Sequence, residues 1–132
     1  MRILVVDDDL VMSEVFAVML ERSGFEVAIA GDGVRGVEMW ENGNFDIVLM
    51  DVQMPHMDGF EATRAIRDKE LLKGSHTPIV AITAFALHND ELKCLAAGMD
   101  AYLSKPVDFR KCVELIREQL NVRRNECQLC KN

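Results

Sequence analysis

Short apolar runs rich in β-branched residues alternate along the chain with segments whose apolar positions recur every three to four residues. The runs cover residues 3–6, 25–30, 47–50, 79–82 and 101–103. They are nearly unbroken, as expected of strands covered on both faces of a parallel sheet. Between the first two, residues 9–23 put Met12, Val15, Phe16, Met19 and Leu20 on one helical face, and Gly24 predicts the stop. Further helices are predicted over 33–42, 58–71, 86–97 (ended by Gly98) and 108–122. In the last, Asp108 is the expected N-cap, and Phe109, Cys112, Val113, Ile116 and Leu120 point inward. Five strands alternating with five helices predict an α/β, doubly wound five-stranded parallel sheet with helices on both faces. In such folds ligands bind at the carboxyl ends of the strands. No repeat or linker interrupts the pattern. Residues 123–132, RRNECQLCKN, lose the apolar period and are expected to form a flexible tail behind a domain spanning 1–122.

A length of 132 residues suits one domain with its own core. Acids outnumber bases 22 to 15, a formal charge of −7, which argues against direct nucleic-acid binding. The opening MRILVV is too short for a signal peptide and no run of 18 apolar residues occurs, so neither export nor membrane insertion is expected and the predicted location is cytoplasmic. Cys94 and Cys112 sit among apolar neighbours and read as core residues. Cys127 and Cys130 form a CxxC, but no second pair lies near to complete a zinc site, and redox CxxC pairs open a helix after a strand. They are expected to be two exposed thiols. His56, His76 and His88 have no regular spacing and are expected to be solvated.

Polar residues fall at one kind of position. Asp7 and Asp8 follow the first predicted strand, Asp51 the third, Thr83 the fourth and Lys105 the fifth. In a parallel sheet these share one edge, so three carboxylates, a hydroxyl and an ammonium converge there. Isolated, an acid pair is usually a solvated loop or a helix cap; Asp9 suits a cap, and Asp58-Gly59 suits a turn. Converging carboxylates repel one another, and a hard divalent cation with oxygen ligands relieves this. A carboxylate can also act as nucleophile and form an aspartyl phosphate.

The segments ILVVDDD, LMDVQMPHMDG, IVAITA and YLSKP, in this order and spacing, resemble the receiver domain of two-component response regulators over residues 1 to about 121. LKCLAAGMDAYLSKPV is similar to receivers attached to hybrid histidine kinases. The resemblance implies a flavodoxin-like (βα)5 fold with strand order 2-1-3-4-5. It implies phosphorylation of Asp51 in a reaction needing magnesium or manganese. Asp8, Asp51 and the backbone carbonyl of Gln53 would hold the metal, with Asp7 assisting, often through water. Thr83 and Lys105 would contact the phosphoryl group, small Ala84 would lie beside it, and Tyr102 would change rotamer in concert. The bond from Lys105 to Pro106 would be cis. The implied partner is a histidine kinase or a histidine phosphotransfer protein, with a downstream protein target.

Leu10, Val11 and Val18 fall outside the inward face of the first helix, beside Asp8, and are expected to meet that partner. Phe85, two residues after Thr83, offers no group to orient an attacking water, which suggests a long-lived phosphoryl group. Two other readings compete with a signalling phosphoacceptor that is not an enzyme on other molecules. A phosphohydrolase of the haloacid dehalogenase type also uses an aspartyl phosphate, but carries DxD after its first strand and usually a cap domain. A silent receiver would lack one of the acids or the lysine, and this chain keeps them all.

Overall fold

The computed structural model describes the backbone of residues 1–84 and 88–130, and the side chains of 1–84 and 92–121. Its elements, in chain order, are β1 Arg2–Val6, α1 Leu10–Arg22, β2 Glu26–Ala30, α2 Gly33–Asn42, β3 Ile47–Asp51, α3 Gly59–Lys73, β4 Ile79–Thr83, α4 His88–Ala97, β5 Ala101–Ser104 and α5 Phe109–Cys130. The strands form one parallel sheet in the order β2-β1-β3-β4-β5. No helix of the described residues is long and apolar enough to cross a membrane.

Side-chain alternation along the central strands separates two apolar layers. Leu4, Val6, Val48, Met50, Ile79 and Ala81 face α2, α3 and α4, where Trp40, Ala62, Ile66 and Cys94 close the core. Ile3, Val5, Ile47, Leu49, Val80 and Ile82 face α1 and α5, where Phe16, Leu20, Cys112, Ile116 and Leu120 do so. Each fully buried Val, Leu, Ile, Met or Phe among them contributes about 1.5–3 kcal/mol. Cys94 and Cys112 are core residues as expected, and burial pushes the Cys112 thiol up to about 12.

Two expectations change. In α1 the buried residues are Ser13, Phe16 and Leu20. The Ser13 hydroxyl donates to the Asp9 carbonyl at 3.0 Å and lies 3.4 Å from that of Asp7. A small hydroxyl with partners among backbone carbonyls can therefore occupy the centre of the inward stripe. The stripe is rotated, and Val15, predicted inward, is 39% exposed. The stretch 123–130, predicted as a loose tail, has helical backbone continuous with α5. It contains neither Gly nor Pro, so helix propagates without an apolar period to reveal it. Residues 131–132 lie outside the described residues, and the side chains of Cys127 and Cys130 are not among those described.

The amino edge of the sheet carries a charged network. Arg67 of α3 donates from Nε to the Gly98 carbonyl at 2.8 Å and from Nη1 to the Thr77 carbonyl at 2.8 Å. Its guanidinium also pairs with Glu70 at 2.5 Å and Asp100 at 2.7 Å. Glu70, almost wholly buried, accepts the Thr77 N–H; Asp100 accepts the Ile79 N–H at 2.8 Å and faces His76 Nε2 at 2.7 Å. The Thr77 hydroxyl accepts the Trp40 indole N–H at 3.0 Å. His76 is thus solvent-exposed, as expected, but engaged.

Candidate functional site

Strand register builds the site. Val6 pairs with Ala30 on one side and Met50 on the other, so Asp7, one residue on, stands level with Asp51. Asp51 pairs with Ile82 and Thr83 pairs with Ser104, which brings the ends of β4 and β5 alongside. The Lys105 N–H donates to the Thr83 carbonyl at 2.7 Å, turning the chain so that its side chain reaches back. The bond into Pro106 is cis.

Carboxylate oxygens of Asp7, Asp8 and Asp51 lie within 4.8 Å of one another. Asp7 and Asp51 are 2% and 3% exposed, whereas Asp8 faces solvent. Asp51 is held by two donors: the Gln53 N–H at 3.1 Å on Oδ1 and the Lys105 ammonium at 3.3 Å on Oδ2. Asp7 accepts the Asp9 N–H at 2.9 Å. Burial pushes the Asp7 carboxyl up to about 6, the negative charge of Asp51 adds to this, and the Asp9 N–H and Lys105 oppose it. An acid held partly protonated by dehydration and like charge is a site short of positive charge. Oxygen-only donors at this spacing fit a hard divalent cation such as magnesium.

The remaining predicted residues fall into place unevenly. Thr83 is buried beside Asp51, and Ala84 is exposed at the end of β4. Tyr102 lies within β5, opposite Ala81, and packs against the apolar layer under α3 and α4 rather than at the strand end. Phe85 lies outside the described residues. On α1, Leu10, Val11 and Val18 are exposed, Val11 by 70%. Val15 joins them, and Val11, Glu14, Val15, Val18 and Met19 line a shallow cleft of about 340 Å³.

Two contributors were not apparent from the chain. Asp58 caps α3 by accepting the Glu61 N–H at 2.8 Å, as well as turning the chain. Gly59 then presses the start of α3 onto the strand end: a Cβ there would lie 2.5 Å from the Asp51 carbonyl oxygen and 2.8 Å from Val52 Cα. The dipeptide Asp-Gly signals a turn, and only the packing reveals why the second residue has to be glycine. The other is Lys93 of α4, which lines a cleft with Gln53 and Thr83.

A parallel sheet of this order, with acids at the ends of β1 and β3, a threonine after β4 and a lysine after β5, defines the receiver class of two-component signalling. The chain belongs to it: the response regulator receiver domain family matches residues 3–117. Among relatives, the hybrid signal transduction histidine kinase B of Dictyostelium discoideum is 41% identical over 130 residues, covering 91% of this chain and 7% of the kinase. The chain thus spans only a small part of such kinases. The receiver domain of sensor histidine kinase PA1611 from Pseudomonas aeruginosa PAO1 is 38% identical with a TM-score of 0.82, covering 91% of this chain and 97% of that one. It was solved with magnesium coordinated in its active site cleft. The Saccharomyces cerevisiae receiver domain of Ssk1, in co-crystal with the histidine phosphotransfer protein Ypd1, gives 29% identity and a TM-score of 0.86, covering 90% of this chain and 88% of that one.

Proposed function

We propose that this receiver accepts a phosphoryl group on Asp51 from a phosphohistidine and alters its binding surface in response, acting as a signalling phosphoacceptor and not as an enzyme on other molecules. The observation that carries the reading is the pairing of a buried Asp51 carboxylate with Lys105 at 3.3 Å, inside a carboxylate cluster whose member Asp7 is pushed up to about 6. An Asp51 oxygen attacks phosphorus, the O–P bond forms, and the N–P bond to the donor histidine breaks. The Gln53 N–H holds one Asp51 oxygen, which limits the carboxylate's rotation. Lys105, already beside Asp51, offsets charge on the incoming phosphoryl oxygens. Thr83 would donate its hydroxyl to the phosphoryl group, exposed Ala84 leaves room for it, and Tyr102 would repack on β5. Asp8, Asp51 and the Gln53 carbonyl, with Asp7 beside them, would hold magnesium or manganese. When bound, such a cation neutralises the acids and the transferring group.

The donor would be a histidine kinase or histidine phosphotransfer protein seated on Leu10, Val11, Val15 and Val18, on the rim next to Asp8. An apolar patch ringed by charge suits such a contact. Residues 1–122 would form the working body in the cytoplasm.

The test is incubation with acetyl phosphate and magnesium, followed by intact-mass measurement. One phosphoryl group should add to the parent, and none should add to Asp51→Asn or without divalent metal. Labelling of Asp51→Asn at the parental rate overturns the assignment.

A further inference from the structure

On the opposite face of the sheet from the α1 patch, an open cleft of about 530 Å³ runs from the phosphorylation site outward between α3 and α4. Gln53, Met54 and Thr83 form its inner end, Phe60 and Asp58 one wall, and Lys93 another. Lys105, the cation at the acceptor, is committed to Asp51. Among the described residues Lys93 makes no ion pair. It is a solvent-exposed cation lining a cleft whose inner end is formed by Gln53 and Thr83, next to the acceptor Asp51.

Apart from Lys105, which is paired with Asp51, the charged groups around that carboxylate repel an anionic donor. Asp7, Asp8 and Asp51 are clustered, Asp58 lines the cleft, and the chain as a whole carries −7. An acyl phosphate is a small dianion with no surface of its own to dock elsewhere. A cation lining a cleft raises the local concentration of such a ligand, most strongly at low ionic strength.

We propose that Lys93 and this cleft admit small anionic acyl phosphates to Asp51, by a path separate from the α1 patch that serves a protein donor. The inference rests on Asp51 being the acceptor. An Asp51 oxygen bonds to phosphorus, the phosphorus–oxygen bond to the acyl group breaks, and the carboxylate leaves with that electron pair; no proton or co-reactant is needed. Lys93 positions and recruits the donor and does not touch the reacting atoms.

The experiment measures Asp51 labelling by acetyl phosphate and, separately, by phosphoramidate, which carries less negative charge, across ionic strength. At low salt Lys93→Gln should slow acetyl phosphate labelling roughly two- to fivefold, and Lys93→Glu about tenfold. Lys93→Arg should stay at the parental rate. Phosphoramidate labelling should change much less, and all variants should converge on the parent near 1 M salt, where the screening length is about 3 Å. Parental rates in Lys93→Gln and Lys93→Glu at low salt overturn the inference and leave the assignment of Asp51 intact. Equal slowing with both donors and no salt dependence also overturns it, because the effect is then structural. A parent chain that takes no phosphoryl group from either donor fells the Asp51 reading and this inference together.

Discussion

Replacing Asp7 by Asn keeps the side chain's shape and the oxygen that accepts the Asp9 N–H, and removes the charge. The consequence follows from the raised carboxyl. Its ordinary value is 3.8 and burial beside Asp51 lifts it to about 6, so the folded chain holds this proton more tightly than the unfolded chain. A protonated Asp7 therefore favours folding below about pH 4, and that contribution disappears as pH rises through about 6. At 1.36 kcal/mol per pH unit of difference, up to about 3 kcal/mol is lost by pH 7. In metal-free buffer with chelator, Asp7→Asn should equal the parent near pH 4 and exceed it at pH 7 by about 2–3 kcal/mol. For a domain of this size that is roughly 10 °C in Tm. Carboxylates remote from Asp7 are common to both proteins and drop out of the difference. Urea denaturation at half-unit pH steps provides the measurement. Millimolar magnesium should then raise the parent by linkage and narrow the gap. Parallel stability curves for the two proteins between pH 4 and pH 7 would refute the reasoning, as would an Asp7→Asn protein less stable than the parent at pH 7 without metal.

Removing Arg67 as Arg67→Met strands buried Glu70 and frees two backbone carbonyls, so urea denaturation should report a loss of about 3–5 kcal/mol. The exposed pair Arg2–Glu26, 3.7 Å apart, should tolerate Arg2→Ala within about 0.5 kcal/mol in the same assay. Gly59→Ala drives a methyl against the Asp51 carbonyl, and a destabilisation of about 1–3 kcal/mol with markedly slower labelling by acetyl phosphate is expected. Val11→Asp should slow phosphotransfer from a cognate protein donor at least tenfold and leave acetyl phosphate labelling unchanged, because its side chain is 70% exposed and supports no core contact.

The strand ends were legible because apolar runs give way to polar residues, Val6 to Asp7, Met50 to Asp51 and Ile82 to Thr83, with Asp51 and Thr83 the last residues of their strands. That boundary carries both the fold and the site, since parallel pairing forces strand ends to one edge. The α1 face was less legible. A hydrophobicity pattern counts Ser13 as outward, yet its hydroxyl is satisfied by two nearby carbonyls and Val15 is displaced to the surface. The Arg67 network was illegible because its members are separated by up to 33 residues and look individually like solvated charges. Tyr102 was assigned by its position relative to Lys105; the packing adds that it rests on the layer shared by Met50 and Ala81. Phe85, on which an expected long phosphoryl lifetime depends, lies outside the described residues.

The two edges of the sheet place opposite demands on stability. At the amino edge Arg67, Glu70, Asp100 and His76 are all partnered, so a substitution there that keeps the fold alive has little reason to alter chemistry. At the carboxyl edge Asp7 works against the fold in the absence of a cation, and a neutral residue at that position is the more stable choice. A lineage screened for heat resistance alone would drift toward a neutral residue at position 7. Thermostable variants recovered from such a screen are therefore the population in which to look for intact receivers that no longer signal.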